Sequence, residues 1–182
     1  MQAVLLRDRK DILPEKNEGI TLVPQIIVNS VNEFNILVDS IVSLGYSQID
    51  INMGCPFPLQ TGKGRGAGLL SRIDVVKALM TEVRNCQEVS FSIKMRLGLN
   101  NCNESHELLP ILNSTPLKQI VIHPRIGRQQ YKGNVDNCTF EHLYNEITHP
   151  IIYNGDILEV EDIYNIASRY PRLAGIMIGR GL

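Results

Sequence analysis

The sequence predicts an α/β chain folded as part of a (β/α)8 TIM barrel, and three observations carry that expectation. Short, nearly continuous apolar runs alternate with helix-period segments along the whole chain. In five of the six such units, reactive side chains or glycines gather at the C-terminal end of the run or just beyond it. An open doubly wound sheet would use one switch-point crevice, whereas in a barrel every strand end faces a single mouth.

The apolar runs cover residues 20–28, 48–52, 89–94, 119–123, 150–153 and 173–178. They are short and rich in Ile and Val, which predicts strands buried on both faces, as in a parallel sheet. After the first, Ser30-Val31-Asn32-Glu33 forms a capping box, with Phe34, Leu37, Val38, Ile41 and Leu44 on one face and Gly45 as the stop. Ser71-Arg72-Ile73-Asp74 opens the next helix, which carries Val76, Leu79, Met80 and Val83. Weaker helical periods lie at 108–112, 140–147 and 160–167.

Two glycine-bearing ends, Asn154-Gly155-Asp156 and Gly179-Arg180-Gly181, follow the last two runs. Barrels commonly hold phosphate on the loops after strands seven and eight. Counting backwards makes 20–28 the third strand. The expectation is one partial domain over residues 1–182, strands three to eight, lacking the first two strands and the final helix.

Apolar residues make up 43% and charged residues 20%, which is ordinary globular usage. Eighteen Lys and Arg against nineteen Asp and Glu give a net charge of −1, so any polyanion site must be local. The apolar run at 3–6 is too short for a signal peptide, and no stretch nears the ~20 residues of a membrane span. Cys55, Cys86, Cys102 and Cys138 show no C-x-x-C pair and no His at metal spacing. A reduced, cytoplasmic chain with no metal and no membrane partner is expected.

Lys63, Arg65, Lys94, Arg96, Arg125, Arg128, Lys132 and Arg180 fall at the presumed mouth, where few acids share the loops. A neutral chain with one basic mouth suggests a phosphorylated or polyanionic ligand. Lys94 lies inside an apolar run, with Arg96 pointing the same way. A lysine there either meets an anion or electron-rich ring, or snorkels outward. His123 by itself is more often a satisfied structural residue than a catalyst. Cys55, between Gly54 and Pro56, precedes a mobile-looking loop with four glycines, 57–68. Its thiol is placed to act as a nucleophile or as a proton donor.

These segments resemble the tRNA-dihydrouridine synthases. The matching stretches are Ile49-Asp50-Ile51-Asn52-Met53-Gly54-Cys55-Pro56, Gly66-Ala67-Gly68-Leu69-Leu70 and Ile93-Lys94-Met95-Arg96-Leu97-Gly98. Val121-Ile122-His123-Pro124-Arg125 with Tyr131, Asn154-Gly155-Asp156-Ile157 and Met177-Ile178-Gly179-Arg180-Gly181 follow in family order. The resemblance implies a barrel enzyme in which NADPH reduces FMN, and the reduced flavin gives hydride to carbon-6 of particular uridines in tRNA. It implies that Cys55 is the general acid that protonates carbon-5. It places Gln25, Lys94 and His123 against the flavin, and Asn52 and Tyr131 at the uracil edge. Arg96 and Arg125 would line the substrate side, and Asn154, Gly155, Asp156, Gly179 and Arg180 would hold the ribityl phosphate.

Relative to the family, the flavin-facing first strand, the second strand and the C-terminal helical tRNA-binding domain have no counterpart here. Pro124 stands where the family usually has Gly. Two other readings stay open at this point: an FMN oxidoreductase acting on free pyrimidines, and an inactive fragment. An unclosed barrel also leaves apolar edges at 20–28 and 173–178, which predicts self-association.

Overall fold

Parallel pairing in strict chain order defines the architecture. The computed structural model describes residues 11–179, so the expectations placed on residues 1–10, Arg180 and Gly181 lie outside it. Six strands are described: β1 (Gln25–Ile26), β2 (Gln48–Met53), β3 (Ser90–Arg96), β4 (Leu117–His123), β5 (Ile151–Tyr153) and β6 (Gly175–Ile176). Each pairs in parallel with the next. Between them run α1 (Val31–Val42), a short α2 (Pro58–Thr61), α3 (Ile73–Asn85), α4 (Asn103–Asn113), α5 (Asn137–Glu146) and α6 (Val160–Arg169). A doubly wound sheet reverses its strand order at a switch point; here the order never reverses. Right-handed crossovers then put the helices on one face, where α1 touches α3, α3 touches α4 and α4 touches α5. The described chain is an open six-stranded arc of a (β/α)8 barrel.

The central strands β3 and β4 are buried along most of their length on both faces, as expected, whereas β2 is not. Burial alternates with a period of two in β2, where Ile49, Ile51 and Met53 are fully buried and Gln48, Asp50 and Asn52 are not. The buried set faces the helices and joins Phe91, Ile93, Met95, Ile120, Ile122, Ile151 and Tyr153 in one core with the apolar faces of α1, α3, α4 and α5. Phe34 of α1 meets Phe91 at 5.5 Å between ring centroids. Burying one such ring contributes about 1.5–3 kcal/mol. The other face carries the polar alternates of β2 and β3, among them Asp50, Asn52, Ser92 and Lys94.

Local departures have local causes. The Ser30 side chain accepts from the Glu33 N–H at 3.3 Å, which is half of a capping box. The Glu33 carboxylate accepts instead from the Asn29 N–H at 3.0 Å and from Arg65 Nε at 3.2 Å, because Arg65 draws it away from the helix end. Ser71 does not cap α3; its hydroxyl donates back to Gly68 O at 3.2 Å, and Arg72 takes the cap position. α4 starts five residues before the predicted 108, at Asn103. Its first turn is polar, with the Glu104 carboxylate accepting from the Leu99 and Asn100 N–H groups, so apolar periodicity marks only its second half. β1 and β6 hold two residues each rather than the runs expected, and each has one neighbouring strand among the described residues. Pro24 has no N–H to extend β1, although its carbonyl accepts from the Asp50 N–H at 2.9 Å.

The glycine-bearing loop after β2 is packed rather than loose. Residues 66–70 are buried, and the Ala67 N–H donates to Cys55 O at 3.0 Å. Gly66 has φ +57°, and a Cβ there would stand 2.6 Å from Cys55 O and 2.7 Å from Cys55 Cβ. Only glycine fits this close approach. Gly66→Ala should therefore lower stability by about 2 kcal/mol or more. Urea unfolding should show a lower midpoint with an unchanged slope, and an unmoved midpoint would show that the loop is not held this way.

Candidate active site

The C-terminal strand ends enclose a cavity of about 400 Å³. Gln25 from β1, Asn52 from β2, Lys94 and Arg96 from β3 and His123 from β4 line it, with Cys55 and Tyr131 on the loops above. Asn154, Gly155 and Asp156 after β5, and Met177 and Gly179 after β6, complete the wall. The structure thus brings the sequence-predicted site residues to one mouth, except Arg125, which does not line the cavity, and Arg180, which lies outside the described residues.

The basic mouth of the sequence reading is largely committed to holding structure. Arg96, 2% exposed, donates from Nε to Gly54 O at 2.9 Å and from Nη1 to Ile126 O at 3.2 Å and Gln130 O at 2.7 Å. Its guanidinium lies 5.4 Å from the Tyr131 ring centroid, which positions that exposed ring. Arg65 pairs with Glu33.

Arg125 is bonded to the loops around it. Its Nη1 donates to Asp156 Oδ1 at 2.8 Å and meets His123 Nε2 at 3.1 Å. Nη2 donates to Asp156 Oδ2 and to Gly133 O, and Nε donates to Gly133 O at 3.2 Å. A guanidinium has five N–H donors, and these contacts engage all of them. Arg125 therefore ties loops together from just outside the cavity. Asp156, with both oxygens on Arg125, belongs to that tie and also lines the cavity. Gly155 serves packing, since a Cβ there would meet Pro124 Cδ at 3.1 Å and Val135 Cγ1 at 3.2 Å. Gly179 differs: a Cβ there would find nothing nearer than Asn154 Nδ2 at 3.9 Å, so its backbone borders open space. Asn154 Nδ2 donates to Met177 O at 2.8 Å, joining the last two strand ends.

Lys94 is half-buried and, among the described residues, its ammonium makes no hydrogen bond or ion pair. Burial first, then the charge of Arg96, pushes its ammonium below the usual lysine range, while Asp50 and Cys55 act the other way. Two residues escaped the sequence reading, Asp50 and Ser92. They sit one layer beneath the cavity, in register with Gln25. The period-two alternation of β2 and β3 was the signal that could have found them, because it puts them on the same face as Asn52 and Lys94.

His123 is 6% exposed. Burial, then Arg96, Lys94 and Arg125, push its pKa down to about 3. Since Arg125 can only donate, His123 Nε2 accepts and the proton resides on Nδ1. An unfolded His titrates near ~6.5, so between that value and about 3 the unfolded chain binds the extra proton. This group's contribution is thus intact above pH ~6.5 and is lost as pH falls toward about 3. NMR titration should show no His123 ring inflection between pH 5 and 8, and His123→Gln should flatten the acid side of the stability profile. An inflection near the free-histidine value would overturn this electrostatic account.

The family model for dihydrouridine synthase matches residues 2–182 of the chain. The tRNA-dihydrouridine synthase B of Pasteurella multocida is 31% identical over 141 residues, which cover 77% of this chain and 42% of that protein. The Escherichia coli K12 tRNA-dihydrouridine synthase B is 32% identical over 143 residues, covering 76% and 43%. A Mus musculus relative, "tRNA-dihydrouridine(47) synthase [NAD(P)(+)]-like", is 33% identical over 135 residues, covering 73% and 21%. The chain therefore spans less than half the length of these curated relatives. Matched along nearly its whole length, it belongs to the dihydrouridine synthase family.

Proposed function

We propose that this chain carries the catalytic face of a flavin-dependent enzyme that reduces specific uridines of tRNA to 5,6-dihydrouridine, with FMN as cofactor and NADPH as reductant. The observation that carries the reading is the convergence of Gln25, Asn52, Cys55, Lys94 and His123, from four adjacent strands and one loop, on a single cavity. The names of the relatives support the substrate class, and the mouse relative's name includes NAD(P)+.

The residues present fit FMN. A half-buried lysine whose ammonium has no hydrogen bond among the described residues calls for an electron-rich or anionic partner. The Gln25 amide lines the same cavity and would be available for ring contacts. The open backbone at Gly179 leaves room for a phosphate, and Arg125 neutralises Asp156 so that no bare carboxylate opposes one. When bound, the flavin supplies the hydride taken from NADPH. Lys94 would hold negative charge at the ring, and Asn52 and Tyr131 would hold the uracil edge. Cys55 would give its proton to carbon-5, with its own backbone fixed from both sides by Asn52 and Ala67.

Lys63, Arg128 and Lys132 are exposed near the mouth, which favours a polyanionic substrate over a free pyrimidine. The setting this implies is cytoplasmic, in keeping with four free cysteines. Among the described residues no helix is long and apolar enough to cross a membrane.

General acid catalysis is worth roughly 10²–10⁴-fold. In the full-length protein, Cys55→Ala should slow uridine reduction by about that factor and leave reduction of the flavin by NADPH nearly untouched. Stopped-flow measurement of the two half-reactions decides it: equal loss in both, or loss in neither, removes Cys55 from the acid role. A second expectation concerns the 182-residue chain by itself. The outer edges of β1 and β6 carry no neighbouring strand among the described residues, and Ile20 and Ile178 are exposed beside them. Exposed strand edges template pairing, so sedimentation should show self-association; a clean monomer at high concentration would refute it.

A further inference from the structure

Beneath the cavity runs a chain of hydrogen bonds in which each link dictates the next. Ser92 Oγ donates to Asp50 Oδ1 at 2.6 Å, and Gln25 Nε2 donates to Asp50 Oδ2 at 2.7 Å. Gln25 Oε1 accepts from Asn52 Nδ2 at 2.8 Å. Asn52 Oδ1 accepts from the backbone N–H groups of Gly54 at 3.0 Å and Cys55 at 2.9 Å. The heavy atoms of an amide do not by themselves say which end is oxygen. Here the two termini of the chain decide.

A carboxylate only accepts, so Gln25 must turn its NH2 toward Asp50. Its oxygen is then left for Asn52, which must turn its own NH2 toward Gln25. The Asn52 oxygen is left for two backbone N–H groups, which only donate. Reversing either amide would set donor against donor, or acceptor against acceptor, at hydrogen-bond distance. Each amide keeps one further N–H, and both residues line the cavity.

We propose that Asp50 is a positioning residue: it fixes the polarity of the Gln25–Asn52 wall, so that this wall offers N–H donors and selects a ligand edge built of carbonyl or imine acceptors. The same chain carries that polarity to the backbone of Cys55. A wall of freely rotating amides would accept a donor edge as readily; one anchored on a carboxylate does not. Burial pushes the Asp50 carboxyl up from its usual range, and the bonds from Ser92 and Gln25 and the charge of Lys94 oppose that push. The identity of the acceptor as a flavin or uracil edge rests on the function proposed above, whereas the fixed polarity does not.

The test uses Asp50→Leu, Asp50→Asn and Gln25→Met in the full-length protein. An asparagine at position 50 still accepts from Gln25 and donates to Ser92, whose hydroxyl can turn to accept, so the polarity survives. Leucine removes the acceptor. Without any ligand, Asp50→Leu should shift the side-chain amide of Asn52 and the backbone N–H of Cys55 in proton–nitrogen spectra, although neither touches residue 50. Asp50→Asn should leave both nearly in place. Unmoved signals in Asp50→Leu overturn the proposal.

In an FMN titration, Asp50→Leu should weaken binding by about 10-fold, the scale of one lost hydrogen bond, and Asp50→Asn by no more than about 3-fold. Parent-like affinity in the leucine variant, or equal loss in both, counts against it. Should Asp50→Leu fail to fold, Gln25→Met cuts the same chain at an exposed position of β1; it should shift the Cys55 N–H and weaken FMN binding alike, and parent-like results there overturn the proposal too. A parent protein that takes up no FMN would defeat the flavin reading alone, and the ligand-free spectra would still decide the role of Asp50.

Discussion

Where a parallel sheet ends at a barrel mouth, each strand gives way to a loop, and backbone carbonyls there lose the ladder partners they would have within the sheet. Two buried guanidiniums meet that need here. Arg96 gathers carbonyls of Gly54, Ile126 and Gln130, and Arg125 gathers Gly133, Asp156 and His123. The loops after β2, β4 and β5 thereby become one piece. Removing either guanidinium would leave these loop acceptors without their donors. The separate strand ends can act as one site because these two cations hold them in register with each other.

That use of cations changes the electrostatic character of the mouth. A count of charges in the loops suggests a broad basic surface, yet Arg65, Arg96 and Arg125 have their donors turned to protein acceptors. Arg96 and Arg125 also act through their charge. Burial first, and these cations after it, push the His123 pKa down to about 3, and burial with Arg96 pushes Lys94 below the usual lysine range. A neutral imidazole and a lysine whose ammonium has no hydrogen bond among the described residues are the two groups through which that charge meets a ligand. The carboxylates of Asp50 and Asp156 keep the cluster from repelling itself apart.

Much of this was legible in the sequence. The alternation of apolar runs with helical periods gives the barrel, because each pattern follows from a fixed geometric repeat. Asn52, Cys55, Lys94 and His123 stand out because polar residues at the end of an apolar run need a reason. The roles of Arg125 and Asp156 were not legible. They lie 31 positions apart, and only the docking of the β4 and β5 ends brings the guanidinium onto the carboxylate. Asp50 and Ser92 were hidden differently: they sit inside runs read as buried on both faces, where the polar half of a period-two alternation passes for noise. The start of α4 was missed because its first turn is polar and is held by the Glu104 carboxylate, so apolar periodicity does not mark it.

The placement of Cys55 draws these strands of argument together. Its N–H donates to Asn52 Oδ1, its carbonyl accepts from the Ala67 N–H, and Gly66 presses against its Cβ. Pro56 fixes the backbone on the following side. With both peptide groups tied and the β-carbon enclosed, the thiol retains essentially the rotation about χ1. A nucleophile must follow its target through bond formation and release, whereas a proton donor needs only to wait within hydrogen-bond reach of one atom. Tight fixation of the backbone with a single free torsion suits the second task. Of the four glycines in the loop, Gly66 permits the close approach to Cys55, while Gly62, Gly64 and Gly68 pack against Pro58, Arg72 and Thr61.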